Sequence, residues 1–440
     1  MINRVIARPA SLALVVAFAI GPARAESWPQ WRGPRHDGIS TDASIPESWS
    51  QTKNVAWRTP LPGRGGATPC VWDGRIYVTS NEEKDLVLLC IAAADGAIVW
   101  KRTVGTGNVD ARSGEGNSAS PSPSTDGRHV WVFFSTGRLA CYTVGGDEVW
   151  AFDVGERFGK LDIQFGMTST PVLDGNSLYL QLIHGPMKLD DQTRTGKVIR
   201  LDKATGRTVW EVDRVTNAQF ECKQSYASPF VYREGGREFL VVHGADCVTG
   251  HALADGREVW RFGGLNGPSA TNPKPADQFW RFVSSPCAAP GTIIVPTCKA
   301  GPTVALRVGD ALAGDCSNVK EVVRWINPLT PDVSTPLVAD GLVYMLHKDG
   351  KLQCVELETG KDLYNERTHT AQHRTSPVLV GGRICFASND GQVSIVKAGR
   401  TFQLLDSIDF GGESIAASLV VSDGRLLIRS AAALYAIKAP

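Results

Sequence analysis

The sequence predicts an all-β fold, a closed eight-bladed β-propeller of four-stranded antiparallel blades in which an N-terminal strand pairs with the C-terminal strands. Three observations predict it. A phrase of Ser or Thr followed by Pro opens a strand, a turn and a second strand, and it recurs along the chain. Each copy leads into a tight turn and then a strand with an aromatic residue at a fixed offset. The eighth copy is one strand short, and one unassigned strand stands ahead of the first.

The phrase is clearest in STPLVADGLVYML (334–346). It returns as ATPCVWDGRIYV (67–78), STPVLDGNSLYL (169–180), ASPFVYREGGREFLVV (227–242), SSPCAAPGTIIV (284–295) and TSPVLVGGRICF (375–386). ASPSPSTDGRHVWVF (119–133) is longer by one residue, and AASLVVSDGRLLI (416–428) has lost the proline. Proline suits the first position of a strand, where a missing N–H is tolerated. Small residues suit the crowding around a central channel, and the hydroxyl before the proline is expected to cap the turn.

The second half of each unit reads LDKATGRTVW (201–210), HALADGREVW (251–260), AAADGAIVW (92–100), TVGGDEVW (143–150) or LETGKDLY (357–364). Gly206, Gly256, Gly96, Gly146 and Gly360 each stand four residues before the aromatic. Glycine supplies positive φ to the turn, and the ring fills the gap between neighbouring sheets. Trp57, Trp100, Trp150, Trp210, Trp260, Trp325 and Tyr364 are assigned this docking role. One unit spans roughly 40–60 residues, the size of a propeller blade. The last unit stops after ALYAIK (433–438), and VAWRTPLPG (55–63) supplies the missing strand, hiding the edges that an open ring would expose.

Strand parity locates a functional face. Connections between second and third strands, and between one blade and the next, lie on one side of the disc. Insertions at 104–118, 155–169, 185–196 and 265–282 fall there, and 310–320 is the exception. Loops longer than closure requires are where binding resides. The residues just before each innermost strand are expected to converge on the channel mouth and to bind a partner or ligand: Arg64, Glu115, Asn117, Gln164, Gln224, Tyr226, Trp280, Arg281, His373, Arg374 and Glu413. A wet, mutually hydrogen-bonded plug of the same residues stands as the alternative.

The bulk numbers narrow the function. With 46 basic against 45 acidic side chains, no cationic excess exists to displace counterions from a nucleic acid. Arg4 and Arg8, the apolar run SLALVVAFAI (11–20) and ARA (23–25) have the layout of a secretory signal peptide, with cleavage expected between Ala25 and Glu26. The mature chain is then expected to be periplasmic or secreted, without a membrane span or a cysteine for lipid attachment, and monomeric. Residues 26–54 are read as an extension packed on the ring, which with it forms a single domain over 26–440. Cys90, Cys141 and Cys354 share a slot with Ala252, Ala305 and Ala436, so they read as small buried residues. Arg200 occupies the same slot and calls for a carboxylate partner. Cys222 and Cys247 flank one hairpin as a possible disulfide pair.

The opening TSPV…GGRICFAS, the turn LDKATGRTVW and the start WPQWRGPRHDGIS (28–40) resemble the pyrroloquinoline quinone (PQQ)-like repeat propellers, and the resemblance covers the mature chain. That family includes quinoprotein dehydrogenases and BamB-type outer-membrane assembly lipoproteins. The resemblance implies for a PQQ-dependent alcohol or sugar dehydrogenase a vicinal Cys-Cys pair, an aromatic floor, calcium ligands and an Asp base. No two cysteines are adjacent here. An oxygen set of Glu115, Asn117 and Asp162 has no fixed spacing behind it. The expectation is therefore a non-catalytic binding or scaffold propeller with no cofactor and no metal, with the quinoprotein enzyme and the outer-membrane assembly factor as alternatives.

Overall fold

The computed structural model describes residues 27–42, 45–111, 116–189 and 194–438. The expected leader, the cleavage point at Ala25 and Glu26, and Glu115 lie outside these residues. Eight antiparallel sheets follow one another around a ring. Blade 1 is built from Cys70–Trp72, Arg75–Glu82, Asp85–Ala92 and Ile98–Thr106, innermost strand first. Blade 8 is built from Val420–Ser422, Arg425–Arg429 and Ala433–Ile437, and Val55–Pro60 completes it. The register of that join runs from Val55 opposite Ile437 to Pro60 opposite Ala433. The two ends of the described chain therefore share one sheet.

Burial follows position in the blade. Inner strands are covered on both faces by neighbouring blades, so Ser177–Leu182 and Leu342–Leu346 are buried throughout and read as near-continuous apolar runs. The outermost strands alternate, as in Val55–Pro60, where only Trp57 and Thr59 are buried. Period-two alternation is the signature of a half-solvated sheet edge.

Five of the docking tryptophans meet the next blade rather than their own turn. Trp57 Nε1 donates to the Ala93 carbonyl at 2.9 Å, Trp100 to Val144 at 3.1 Å, Trp150 to Lys203 at 3.1 Å, Trp210 to Leu253 at 3.1 Å and Trp325 to Leu357 at 2.7 Å. The ring lies flat over that blade's turn glycine. A Cβ at Gly206 (φ 68°) would sit 2.7 Å from Trp150 Cδ2. Trp260 departs from this pattern because the third-to-fourth connection of blade 5 is the 310–320 insertion. Part of it, Gly314–Asp315, adds to blade 4 as a fifth strand, parallel, with Trp260 opposite Gly314.

The Ser/Thr-Pro phrase has a structural role different from turn capping. The backbone N–H of each pre-proline residue donates to the hydroxyl of its counterpart in the next blade. The links run from Thr68 to Ser122, Thr170, Ser228, Ser285, Thr335, Ser376 and Ser418, at 2.8–3.2 Å. Seven of the eight junctions are joined by this girdle. In the longer second copy the working pair is Ser122-Pro123, and in the eighth Ser418 serves although Leu419 replaces proline.

The extension crosses the opposite face of the ring. Trp28 exchanges backbone hydrogen bonds with Val71 of blade 1, and Pro29 O accepts from Thr125 of blade 2. Gln30 brackets Leu173 of blade 3, Arg32 donates to Pro336 O of blade 6, and Ser40 N donates to Leu379 O of blade 7. Trp28 is fully buried by these contacts.

Three expectations need correction. The slot opposite the docking aromatic holds Gly250 in blade 4, and Ala252 lies two residues on, beyond the bulge that follows this slot in the other blades as well. Arg200 does oppose Trp210, but it donates to Ser177 Oγ at 2.8 Å and Leu253 O at 3.0 Å, so neutral acceptors replace the expected carboxylate. Cys222 and Cys247 are separate buried thiols, and Cys247 Sγ accepts from Arg214 Nη2 at 2.9 Å.

Candidate functional site

On the long-loop face the channel widens into a cavity of about 180 Å³. All eight blades contribute to its wall, from Gly66 in blade 1 through Ser120, Thr168, Tyr226, Val283, Val333 and Arg374 to Ala416 in blade 8. Small or medium residues at six of these eight converging positions, all but Tyr226 and Arg374, make the cavity possible, since a bulky side chain at every one would fill it. Three long cationic side chains enter it: Arg281, Lys348 and Arg374.

Arg281 is held by two contacts. Its Nη1 pairs with Glu221 Oε1 at 3.1 Å, and its guanidinium carbon lies 5.4 Å from the Phe165 ring centre, within cation–π range. Phe165 packs against Tyr226 at 6.0 Å, and Tyr226 Oη donates to Gln224 Oε1 at 3.0 Å. Gln224 is itself fixed by Nε2 donating to Gly185 O at 3.0 Å. A buried amide thus orients an aromatic pair, which positions a cation at the channel mouth. Lys348, on the adjacent blade 6, stands 4.0 Å from Asp332. A neighbouring cavity of about 260 Å³ shares Gly66, Gly116 and Ala416 with the first and is lined further by Arg64, Gly65, Asp110, Asn117 and Ser414.

Of the residues expected at the mouth, Tyr226, Arg281 and Arg374 line the main cavity, and Arg64 and Asn117 line its neighbour. Glu115 lies outside the described residues, and the other five point elsewhere. Gln224 lies beneath Tyr226, and Gln164 is exposed, with its backbone N–H on Gln224 Oε1. Trp280 is buried against Gly301. His373 is fully buried, with Nδ1 2.9 Å from Ala371 O, and burial lowers its pKa to about 4. Glu413 turns to the closure seam, where Tyr435 Oη, Ser430 Oγ and Gln51 Nε2 donate to it and Arg58 lies at 3.7 Å. Phe165, Thr168 and Lys348 were not foreseen. Lys348 lies in the second-to-third connection of blade 6, HKDG (347–350), a position that strand parity itself assigns to this face.

The residues present do not fit the quinone-and-calcium set that the family resemblance implies. Among the described residues no three of His, Cys, Asp and Glu gather as metal ligands. The ten cysteines are buried single thiols, and burial raises those of Cys141, Cys287 and Cys385 to about 12, far from the thiolate form. Asn117 donates to Arg64 O and Asn81 Oδ1, each at 2.8 Å, and accepts from the Ala119 N–H at 3.0 Å, so its amide is engaged within the chain.

Comparison with known proteins agrees with this architecture. A family model described as outer membrane protein assembly factor BamB matches residues 48–180, 83–272 and 248–439. No curated protein matches the chain. Among solved structures, BamB from Moraxella catarrhalis superimposes with a TM-score of 0.60 at 15% identity, covering 86% of this chain and 99% of that one. A europium-containing methanol dehydrogenase gives 0.67 at 11% identity, covering 93% and 90%. Sqt1 from Saccharomyces cerevisiae gives 0.61 at 9% identity, covering 88% and 99%. Likeness at these identities speaks to the fold.

Proposed function

We propose, from the premise that this chain belongs to the PQQ-like repeat propeller family described as outer membrane protein assembly factor BamB, that it is an exported, non-catalytic binding protein. Its long-loop face takes an anionic group presented by a protein partner. The observation that carries this reading is the convergence of Arg281, Lys348 and Arg374 with Phe165 around one axial cavity. Planar guanidinium groups beside aromatic rings suit carboxylates, since bidentate hydrogen bonding and stacking act together there. No carboxylate or imidazole is among the described lining residues of this cavity. His373 is sealed from the cavity, and the described carboxylate nearest Arg281, Glu221, is engaged with it. Among the described residues no helix is long and apolar enough to cross a membrane. The family description makes assembly of outer-membrane proteins the first partner system to examine.

The test is co-purification from the native compartment, comparing the unaltered chain with the double variant Arg281→Glu/Arg374→Glu. The reading expects a partner enriched by the unaltered chain and lost from the double variant, with far-ultraviolet circular dichroism showing both folded, since Arg281→Glu also leaves the buried Glu221 without its cation and lowers the melting temperature. Retention of the same partner by the double variant would remove the cavity from the account.

A further inference from the structure

On the long-loop face one aromatic side chain is left out of the blade packing. Phe279 is 48% exposed, and among the described residues it is the most exposed Phe, Tyr or Trp. A single exposed Leu or Val is ordinary on a protein surface, but exposed aromatic rings are what interface cores collect. The position of Phe279 is fixed by its backbone. Its N–H donates to Asp277 Oδ1 at 2.8 Å, the Asp277 main chain exchanges two hydrogen bonds with the Asn266 amide, and the Gln278 carbonyl accepts from the Glu221 N–H at 3.0 Å.

Phe220, in the link between blades 3 and 4, completes an aromatic step. Its ring meets that of Phe279 edge to face, with centres 5.2 Å apart and planes at 84°. Phe220 has φ 50°, in the left-handed region that a bulky L-residue enters only under strain. Glycine would make the same turn freely. The chain therefore keeps an aromatic side chain here against its backbone preference, and strain of that kind gathers at binding sites. Lys299 Nζ stands 5.8 Å from the centre of the Phe279 ring and 3.1 Å from Asp277 Oδ2.

The step adjoins the axial cavity. Phe279 and Arg281 are two residues apart, so their Cα atoms are separated by at most about 7 Å. Trp280 between them is buried, which turns its two neighbours to the open side of the segment, and Arg281 lines the cavity. Phe220 is tied to the same place through Glu221, whose Oε1 accepts from Arg281 Nη1 at 3.1 Å. An aromatic surface and a carboxylate-binding cation are thus presented side by side.

We infer that Phe279 and Phe220 receive an aromatic side chain from the same polypeptide whose acidic residue enters the axial cavity, so the partner segment carries Phe, Tyr or Trp within a few residues of Asp or Glu. The inference rests on the proposed reading of that cavity as an anion site. A third ring extends the edge-to-face geometry, leaves water on docking, and meets a surface that is already held in place. An aromatic anchor beside an arginine is the composition that concentrates binding energy at protein interfaces.

The experiment is fluorescence anisotropy of the mature protein in titrations reaching millimolar peptide. The probes are dye-labelled Gly-Asp-Gly-Phe-Gly with blocked ends, the reversed sequence Gly-Phe-Gly-Asp-Gly, and versions with Ala in place of Phe or Asn in place of Asp. In the tighter-binding order, Ala in place of Phe is expected to weaken binding roughly tenfold. Phe279→Ala should weaken the Phe peptide by the same factor and leave the affinity for the Ala peptide unchanged, which also shows that the variant is folded with its cavity intact. Phe279→Tyr should bind as the parent does, and Phe220→Gly, which suits the left-handed backbone, should lose the preference for Phe. Equal affinity of the parent for the Phe and Ala peptides, or an equal drop for both in Phe279→Ala, overturns the inference and leaves the cavity reading standing. Phe-dependent binding that is indifferent to Asn in place of Asp and to Arg281→Glu/Arg374→Glu overturns the cavity reading, and with it the pairing of ring and acid. Absence of binding by every peptide overturns both.

Discussion

Gly206→Ala tests the blade-to-blade contact that repeats around the ring. Gly206 has φ 68°, and an added Cβ would lie 2.7 Å from Trp150 Cδ2, a ring atom of the preceding blade. An L-residue in the left-handed region costs about 1–2 kcal/mol. Forcing a methyl against that ring, which is hydrogen-bonded to Lys203 O, adds about 1–3 kcal/mol. The expected loss is therefore about 2–5 kcal/mol. Gly341→Ala is the control, since Gly341 has φ 74° and nothing within 4 Å of its would-be Cβ. It should lose only the backbone component, about 1–2 kcal/mol. Urea unfolding followed by far-ultraviolet circular dichroism measures both. In a Trp150→Ala background the ring is gone, so Gly206→Ala should fall to the cost of the control. Equal losses for Gly206→Ala and Gly341→Ala in the parent, or an unchanged loss without Trp150, would refute the reasoning.

Other predictions follow from the same geometry. Thr170→Val removes the acceptor of the buried Ser122 N–H, which lies 3.1 Å from Thr170 Oγ1, and should cost about 1–3 kcal/mol in the same urea assay, while Thr170→Ser stays near the parent. His251 and His373 are held neutral by burial, each with a folded-state pKa of about 4 against an ordinary value of 6.5. The unfolded chain therefore binds more protons between those limits, so stability is complete above pH 6.5 and falls as pH drops toward 4, by about 1.4 kcal/mol per residue and pH unit. His373→Asn should flatten that slope, and melting temperatures recorded from pH 7 to pH 4 would show it; an unaltered slope contradicts the assignment.

The ring was legible because its determinants are local and repeated. The proline at the first innermost position, the turn glycine and the aromatic four residues later are each recognisable by their spacing within one blade's sequence, and their recurrence from blade to blade reinforces the pattern. The partners of those residues were less legible. Thr170 caps an N–H 48 residues away, and Trp150 rests on Gly206 of the next blade. Contacts between blades depend on how two sheets stack, which one repeat does not encode. The site shows the same division. Parity chose the face, but taking every residue ahead of an innermost strand could not choose the direction of its side chain. Trp280 and Arg281, like His373 and Arg374, are neighbours in the chain, yet the first of each pair is buried and the second lines the cavity. Adjacent residues of an extended segment face opposite ways. Lys348 was overlooked for a different reason, because the short turn HKDG does not stand out as an insertion.

Hydrogen exchange under increasing, sub-denaturing urea tests ring closure directly, because the whole placement of the binding face depends on it. The amides of Val55–Thr59 and Ala433–Ile437 should open together, at one free energy and with one urea dependence, as members of a single sheet. Early, independent exchange of Val55–Thr59 while Ala433–Ile437 remains protected would show that the two strands are not joined as one blade.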